Sequence, residues 1–238
     1  MALAAVVFDW GGTLTDPLNF EELTDLWRLA ARHIAPDRED ELCARLEQIE
    51  GALWAGVAKD QKAFSLSDIL KKASDELGVD VAEALLEEAG THHLDVWTPH
   101  IVHDPEAAPT LAALKGEGLK IGLLSNTHWP RAFHERFLER DGLAEFIDVR
   151  CYTSEMERTK PHPAAYRTVL RELDVAPAAA AFVGDRLYDD IFGAKALGLR
   201  TVHRRDRNVP GFDVQPDAVI DRLPELIPLV DKWMRNDT

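Results

Sequence analysis

Residues 6–16 read Val-Val-Phe-Asp-Trp-Gly-Gly-Thr-Leu-Thr-Asp, and this stretch is the strongest indication of the fold class. A short apolar run ends in one carboxylate, Asp9, and two glycines and a threonine then turn the chain. The pattern predicts a buried strand with Asp9 at its carboxyl end, where open α/β sheets place their active sites. Asp9 is therefore a candidate nucleophile on a rigid support.

Five further apolar runs have the length of buried strands, so the sequence predicts six strands. They are Val6–Phe8, Lys120–Leu124, Val149–Tyr152, Ala180–Val183, Thr201–His203 and Ala218–Ile220. Helical patterns that separate or follow the later strands cover 104–116, 129–140, 162–173, 188–197 and 222–234. Strands that alternate with helices indicate right-handed crossovers and a parallel sheet covered on both faces. We therefore expect an α/β fold with a Rossmann-like, doubly wound core.

The stretch between the first two strands carries helical patterns only. These patterns cover 20–34, 38–57, 67–77 and 81–96, with Ser67 as the predicted N-cap of the third helix and Gly78 at its end. The sequence thus predicts an all-helical cap domain over 17–99, inserted into a core formed by 1–16 and 100–238. Such a cap would lie over the carboxyl ends of the strands.

The charge balance limits the partners of this chain. Its formal net charge is -15 at pH 7, and a field of that sign repels nucleic acid and anionic lipid. It contains no apolar run of the length that crosses a membrane, and its first residues lack the basic region of a signal peptide. We therefore expect neither a nucleic-acid nor a membrane partner. An anionic substrate would need local help from a metal ion, a lysine and backbone N–H groups.

Cysteine usage indicates the compartment. Cys43 and Cys151 lie far apart in the sequence, without the spacing of a metal site or a redox motif. Disulfides are rare in reducing compartments, so we expect two free thiols and a cytoplasmic location.

Four polar clusters follow predicted strands. Because parallel strands point their carboxyl ends the same way, the clusters are expected to meet in one crevice. They are Asp9 to Asp16, Ser125-Asn126-Thr127, Arg158 to Pro163 around Lys160, and Gly184 to Asp190 around Asp185.

The carboxylates of these clusters suit a metal ion. Asp9 and Asp185 offer hard oxygen ligands of the kind that Mg²⁺ prefers, and Asp190 or Asp189 could orient the waters of the ion. The charge of the metal would let several carboxylates stay ionised side by side.

The remaining polar groups suit an oxyanion. Ser125 offers a hydroxyl and Lys160 a point charge to a phosphoryl oxygen. The backbone N–H groups of the Gly11-Gly12-Thr13 turn can form an anion-binding nest. A carboxylate nucleophile in these surroundings suits an aspartyl-phosphate intermediate, because phosphoryl transfer needs mainly positioning and charge neutralisation.

In this order, the four clusters resemble those of the haloacid dehalogenase-like hydrolase superfamily. The helical insert after the first motif is similar to the cap of the phosphoglycolate phosphatase, β-phosphoglucomutase and dehalogenase branch. The resemblance implies a Mg²⁺-dependent phosphatase that acts on a small phosphorylated metabolite. It also implies roles for individual residues. Asp9 would be nucleophile and metal ligand, Gly11 would give the metal its carbonyl, and Asp185 and Asp190 would complete the metal site. The transferring group would be held by Gly12, Thr13, Ser125, Asn126 and Lys160.

Gly11 departs from the pattern of these phosphatases, most of which carry a second aspartate there. That acid protonates the leaving alcohol and later deprotonates the attacking water, help worth about 10²–10⁴-fold in rate. Glycine keeps the backbone carbonyl and lacks the acid. Residues of the cap, such as His92, His93 or Asp95, or the substrate itself, are candidates to replace it.

Two other readings stay open besides the phosphatase. Dehalogenases and phosphonoacetaldehyde hydrolases lack the second acid, and Asp9-Trp10 resembles the start of the latter motif. Against them, Ser125 and Lys160 differ from the usual threonine and arginine of the phosphonoacetaldehyde hydrolases, and dehalogenases do not need a metal-type fourth motif. A Schiff-base lysine in the cap would have to be one of Lys59, Lys62, Lys71 or Lys72. The other reading is a non-catalytic binding protein on the same fold.

Overall fold

Six parallel strands form one sheet in the computed structural model, which describes residues 2–16, 25–206 and 209–236. The strands are β1 (Ala5–Phe8), β2 (Lys120–Ser125), β3 (Val149–Tyr152), β4 (Ala180–Gly184), β5 (Arg200–Arg204) and β6 (Ala218–Ile220). Their order across the sheet is β3-β2-β1-β4-β5-β6. All six predicted strands are confirmed. The order reverses at β1, and such a switch point opens a crevice at the carboxyl ends of the strands.

Helices cover the sheet and fill the stretch between β1 and β2. They are α1 (Arg28–Ile34), α2 (Glu39–Asp60), α3 (Leu66–Glu76), α4 (Glu83–Trp97), α5 (Ala107–Gly116), α6 (Arg131–Arg140), α7 (Pro163–Leu173), α8 (Gly193–Ala196) and α9 (Leu226–Asn236). A π-helical turn, Leu187–Phe192, leads into α8. The α/β architecture predicted from the sequence is therefore confirmed.

Two details of the predicted helices are wrong. The helix predicted over 20–34 begins at Arg28, because Asp25 has a left-handed backbone (φ 58°); residues 20–24 of that prediction lie outside the described residues. Ser65, and not Ser67, caps α3. Its hydroxyl accepts a hydrogen bond from the N–H of Asp68, whose carboxylate accepts the N–H of Ser65 in return. Asp68 lies three residues after Ser65, the spacing of a capping box.

Helices α1 to α4 pack on one another as a helical block: α1 contacts α2 and α4, and α3 contacts α2 and α4. A short antiparallel hinge connects this block to the sheet. Thr15 pairs with His103, the N–H of Asp16 donates to the carbonyl of Val102, and the N–H of Asp104 donates to the carbonyl of Leu14. The division into a core and a cap at residues 17 and 99 stays a prediction, and the hinge lies close to both boundaries.

The sheet is buried on both faces, as expected for parallel strands between helices. Val6 and Phe8 of β1 point into one apolar cluster, and the alternating residues Ala5 and Val7 point into the other. Cys43 and Cys151 are both free, as predicted, and both are buried in the structure. Among the described residues, no helix is both long and apolar enough to cross a membrane.

An aromatic junction joins the helical block to the turn after Asp9. Trp97 of α4 lies 5.0 Å from Trp129, and Trp129 lies 6.4 Å from Trp10, measured between ring centroids. His134 packs edge-on against Trp10 at 4.5 Å, and burial lowers its pKa to about 3. His134 therefore stays neutral and serves as a packing ring at neutral pH.

Candidate active site

The four polar clusters lie where the strand order places them. Asp9 follows β1, Ser125 ends β2 and Asp185 follows β4, so Asp9 lies between the other two. Lys160 reaches the same place from the segment before α7. Asp9, Ser125, Lys160 and Asp185 are each at most 5% exposed. The sheet thus brings together side chains that lie up to 176 residues apart in the sequence.

Lys160 links two carboxylates at the centre of this site. Its Nζ donates to Asp9 Oδ1 and to Asp190 Oδ1, both at 2.7 Å. Burial disfavours the charged ammonium, but the carboxylates of Asp190 and Asp9 outweigh it and raise the pKa of Lys160 above its usual value. Lys160 is therefore a fixed positive charge beside the candidate nucleophile.

Asn126 holds the backbone of Lys160. Its Oδ1 accepts the N–H of Lys160 at 2.8 Å, and its Nδ2 donates to the carbonyl of Lys160 at 3.0 Å. This pair of hydrogen bonds ties the end of β2 to the segment that carries the lysine. The sequence did not indicate this clamp, and a contact between Asn126 and substrate stays a prediction.

The turn after Asp9 is ordered by one carbonyl. The oxygen of Trp10 accepts backbone N–H groups from Thr13, Leu14 and Thr15. Gly12 has a left-handed backbone (φ 72°), and a Cβ there would lie 2.8 Å from Asp185 Oδ2. A glycine at this position therefore lets the turn approach the metal-type carboxylate. Thr13 Oγ1 donates to Asp185 Oδ1 at 3.3 Å, which connects the first and fourth clusters.

Gly11 is exposed, and the space beside it is open among the residues that the structure describes. A Cβ built on Gly11 would have none of their atoms within 4 Å. His93 is occupied elsewhere: its Nδ1 faces the carbonyl of Leu26, and its Nε2 accepts the indole N–H of Trp97. None of the candidates His92, His93 and Asp95 fills the space that an aspartate would take.

Three carboxylates form a group that can hold a cation. Ligand oxygens of Asp9, Asp185 and Asp190 all lie within 4.8 Å of one another, and all three side chains are buried. Burial, reinforced by the neighbouring carboxylates, raises the pKa of Asp185 above its usual range. Three buried carboxylates facing one lysine leave surplus negative charge, and hard oxygens suit a small divalent cation. The residues present therefore fit a metal site.

The structure distinguishes Asp190 from Asp189. Asp190 is fully buried; its Oδ1 accepts Lys160 and its Oδ2 accepts the N–H of Arg186 at 2.9 Å. A Cβ at Gly184 would lie 2.3 Å from Asp190 Cγ, so glycine is needed there. Asp189 is not among the three grouped carboxylates, and its backbone carbonyl accepts the hydroxyl of Tyr166.

A loop of the helical block, residues 61–63, lies against the segment before Lys160. The N–H of Thr159 donates to the carbonyl of Gln61 at 2.9 Å, and Lys62 forms a bridge with Arg158. This long-range pairing was not predictable from the sequence. It places a loop of the helical block next to the site, although Lys59, Lys62, Lys71 and Lys72 are all exposed. A Schiff-base lysine needs a desolvated pocket or a cationic neighbour, so exposure does not favour that chemistry.

The model of the haloacid dehalogenase-like hydrolases matches residues 3–198. A glyceraldehyde 3-phosphate phosphatase of Pyrococcus furiosus is 33% identical over 56% of each chain, and one of Methanopyrus kandleri is 27% identical over 76% of this chain and 84% of that enzyme. The match to the Pyrococcus enzyme thus spans little more than half of its length. A solved 2-haloacid dehalogenase of Pseudomonas syringae, 24% identical, has a TM-score of 0.70 over 97% of this chain and 99% of its own, which shows the shared fold. The chain belongs to the haloacid dehalogenase-like hydrolase family.

Proposed function

We propose that this hydrolase is a Mg²⁺-dependent phosphatase of small phosphomonoesters that works through a phosphoryl group on Asp9. The main support is that Lys160 donates hydrogen bonds to both Asp9 and Asp190. These two residues and Asp185 form the group of three buried carboxylates. That arrangement supplies a nucleophile, a fixed cation and a cation site in one buried place. The names of the two phosphatase relatives support a phosphorylated substrate.

Asp9 attacks phosphorus, and the bond from phosphorus to the leaving oxygen breaks. The leaving group departs with that electron pair as its anion and takes a proton from water to become the alcohol. The hydroxyl of Ser125 donates a hydrogen bond to a phosphoryl oxygen, and the positive charge of Lys160 stabilises the negative charge on the phosphoryl oxygens. Water then hydrolyses the acyl phosphate, which releases phosphate and restores Asp9. Mg²⁺ held by Asp9, Asp185 and the carbonyl of Gly11 would neutralise charge on the phosphoryl group.

Asp190 is our choice for the second acid of the metal site. Its side chain is grouped with Asp9 and Asp185, and Lys160 and the N–H of Arg186 fix both of its oxygens. A carboxylate whose two oxygens are both hydrogen-bonded is held in place, and it can orient a metal ligand or a metal-bound water. We assign Gly12, Thr13 and Asn126 to the border of the phosphoryl site, supported by the closeness of Gly12 and Thr13 to Asp185 and by the hydrogen bonds of Asn126 to Lys160. The two free thiols support a cytoplasmic location.

The missing acid at Gly11 predicts a preference among substrates. A good leaving group departs as its anion and needs no proton, whereas an alkoxide does. We expect this enzyme to hydrolyse p-nitrophenyl phosphate faster than an alkyl phosphate such as glycerol phosphate, by about 10²-fold or more. Turnover of both should require Mg²⁺ and stop with chelator.

The same assay separates the alternatives. The likeness to a dehalogenase and the absence of the second acid justify a 2-haloacid as a third substrate. Halide release that persists with chelator would overturn the phosphatase proposal in favour of a dehalogenase. Hydrolysis of phosphonoacetaldehyde that borohydride inactivates would indicate Schiff-base chemistry. No turnover of any compound would favour a binding protein.

A further inference from the structure

A chain of hydrogen bonds, buried at Trp10 and His103 and half-buried at Asp141, runs from the neighbour of the nucleophile to the end of α6. Trp10 Nε1 donates to His103 Nε2 at 3.0 Å, and His103 Nδ1 lies 2.6 Å from Asp141 Oδ2. The side chain of His103 is 3% exposed, and Trp10 is 4% exposed. We call Trp10, His103 and Asp141 the relay.

The chemistry of the partners fixes the tautomer of His103. The indole nitrogen of Trp10 can only donate, so His103 Nε2 has to accept and carries no proton. The ring proton is then on Nδ1 and is donated to the Asp141 carboxylate. Burial lowers the pKa of His103 against the opposing influence of Asp141, which leaves Nε2 free to accept at neutral pH. A proton on Nε2 would set two N–H groups against each other.

The relay connects two functional parts of the molecule. Trp10 follows Asp9 directly, and its carbonyl organises the turn after the nucleophile. His103 lies in the hinge to the helical block, where it pairs with Thr15. Arg140 strengthens the far end, since its guanidinium donates to both Asp141 and the carbonyl of Ile101 in the adjoining segment. The position of the Trp10 peptide is thus tied to the hinge by a side chain as well as by the backbone.

We propose that His103 is a positioning residue, which holds Trp10 and therefore the Asp9 carboxylate in the orientation for attack while the hinge is paired. This inference rests on the proposed phosphatase reaction. His103 does not touch the reacting atoms; it acts through Trp10. A small displacement of a reacting group can cost about 10²-fold in rate, so loss of the acceptor is expected to lower kcat more than it weakens substrate binding.

The test compares three variants with p-nitrophenyl phosphate and Mg²⁺. His103→Phe keeps an aromatic ring and removes the acceptor, so kcat should fall about 10- to 100-fold with KM changed by about twofold or less. His103→Gln restores an acceptor for the indole N–H, and its kcat should lie within about threefold of the parent. His100→Phe, at an exposed position three residues earlier, should match the parent.

An NMR measurement reads the relay independently of activity. The Trp10 indole N–H signal, identified by its loss in Trp10→Phe, should exchange slowly in the parent and in His103→Gln and rapidly in His103→Phe. Should His103→Phe fail to fold, Trp10→Phe breaks the same hydrogen bond from the other side and should lower kcat equally.

The NMR exchange tests the hydrogen bond, and the kinetic assay tests the positioning role. Unchanged exchange of the Trp10 N–H in His103→Phe would overturn the relay itself. Normal kcat in His103→Phe, or an equal loss in the Phe and Gln variants, would overturn the positioning role. If the parent enzyme does not hydrolyse p-nitrophenyl phosphate, both the proposed function and the positioning role of His103 are wrong. The N–H exchange data would still show whether the hydrogen bond between Trp10 and His103 forms.

Discussion

Replacing Gly11 with aspartate is expected to raise the rate of alkyl phosphate hydrolysis by about 10²–10⁴-fold, the usual contribution of a general acid–base group. The space beside Gly11 can take the side chain, since a Cβ there meets no atom of the described part of the chain within 4 Å. The backbone at Gly11 lies outside the left-handed region, so an L-residue brings no strain. Steady-state kcat with glycerol phosphate measures the gain.

A matched variant isolates the proton. Gly11→Asn has nearly the shape of Gly11→Asp and cannot exchange a proton, so it should leave the alkyl phosphate rate close to that of the parent. The aspartate should change p-nitrophenyl phosphate turnover much less, because that leaving group needs no acid. If the aspartate and asparagine variants hydrolyse glycerol phosphate equally fast, the missing acid does not limit this step.

Lys160→Met is expected to destabilise the protein strongly and to abolish turnover. Methionine keeps the apolar stem, but Asp9 and Asp190 each lose a partner at 2.7 Å. Breaking a buried ion pair from one side costs about 3–5 kcal/mol, because an uncompensated charge stays buried. Urea unfolding at neutral pH with chelator measures this loss. Mg²⁺ should reduce the difference between variant and parent, because a bound cation takes over part of the compensation.

Lys195→Met is the control for that experiment. Lys195 forms an ion pair with Asp217 at 2.9 Å, but both side chains are about 40% exposed. An exposed pair contributes about 0–1 kcal/mol, so this variant should unfold almost like the parent. Equal destabilisation by the two substitutions would show that Lys160 is not the charge that holds the buried carboxylates together.

The sheet and the position of its polar clusters were predictable from local patterns. Short apolar runs such as Val6–Phe8 and Ala180–Val183 end at polar or glycine residues, and the parallel arrangement then fixes where Asp9 and Asp185 meet. A glycine at position 12 also fits a local pattern, since a tight turn after a strand favours a residue that tolerates a left-handed backbone. These features depend on neighbours within a few residues or on the topology of the whole fold.

Long-range side-chain pairings were not predictable in the same way. His103 and Asp141 are 38 residues apart, and Trp10 and His103 are 93 apart, so no periodicity links them. The clamp of Asn126 on Lys160 likewise depends on how two loops approach each other. The N-cap of α3 shows the limit even at short range, because Ser65 and Ser67 both fit the pattern and the partner Asp68 decides between them.

Peptide mass spectrometry after acid quench can detect the proposed phosphoryl group on Asp9. Enzyme mixed with p-nitrophenyl phosphate and Mg²⁺ should carry one phosphoryl group on the peptide with Asp9, and the group should be absent with chelator and in Asp9→Asn. Release of phosphate at full rate from Asp9→Asn, or an unmodified Asp9 together with a carboxyalkyl ester formed from a 2-haloacid without metal, would contradict the account.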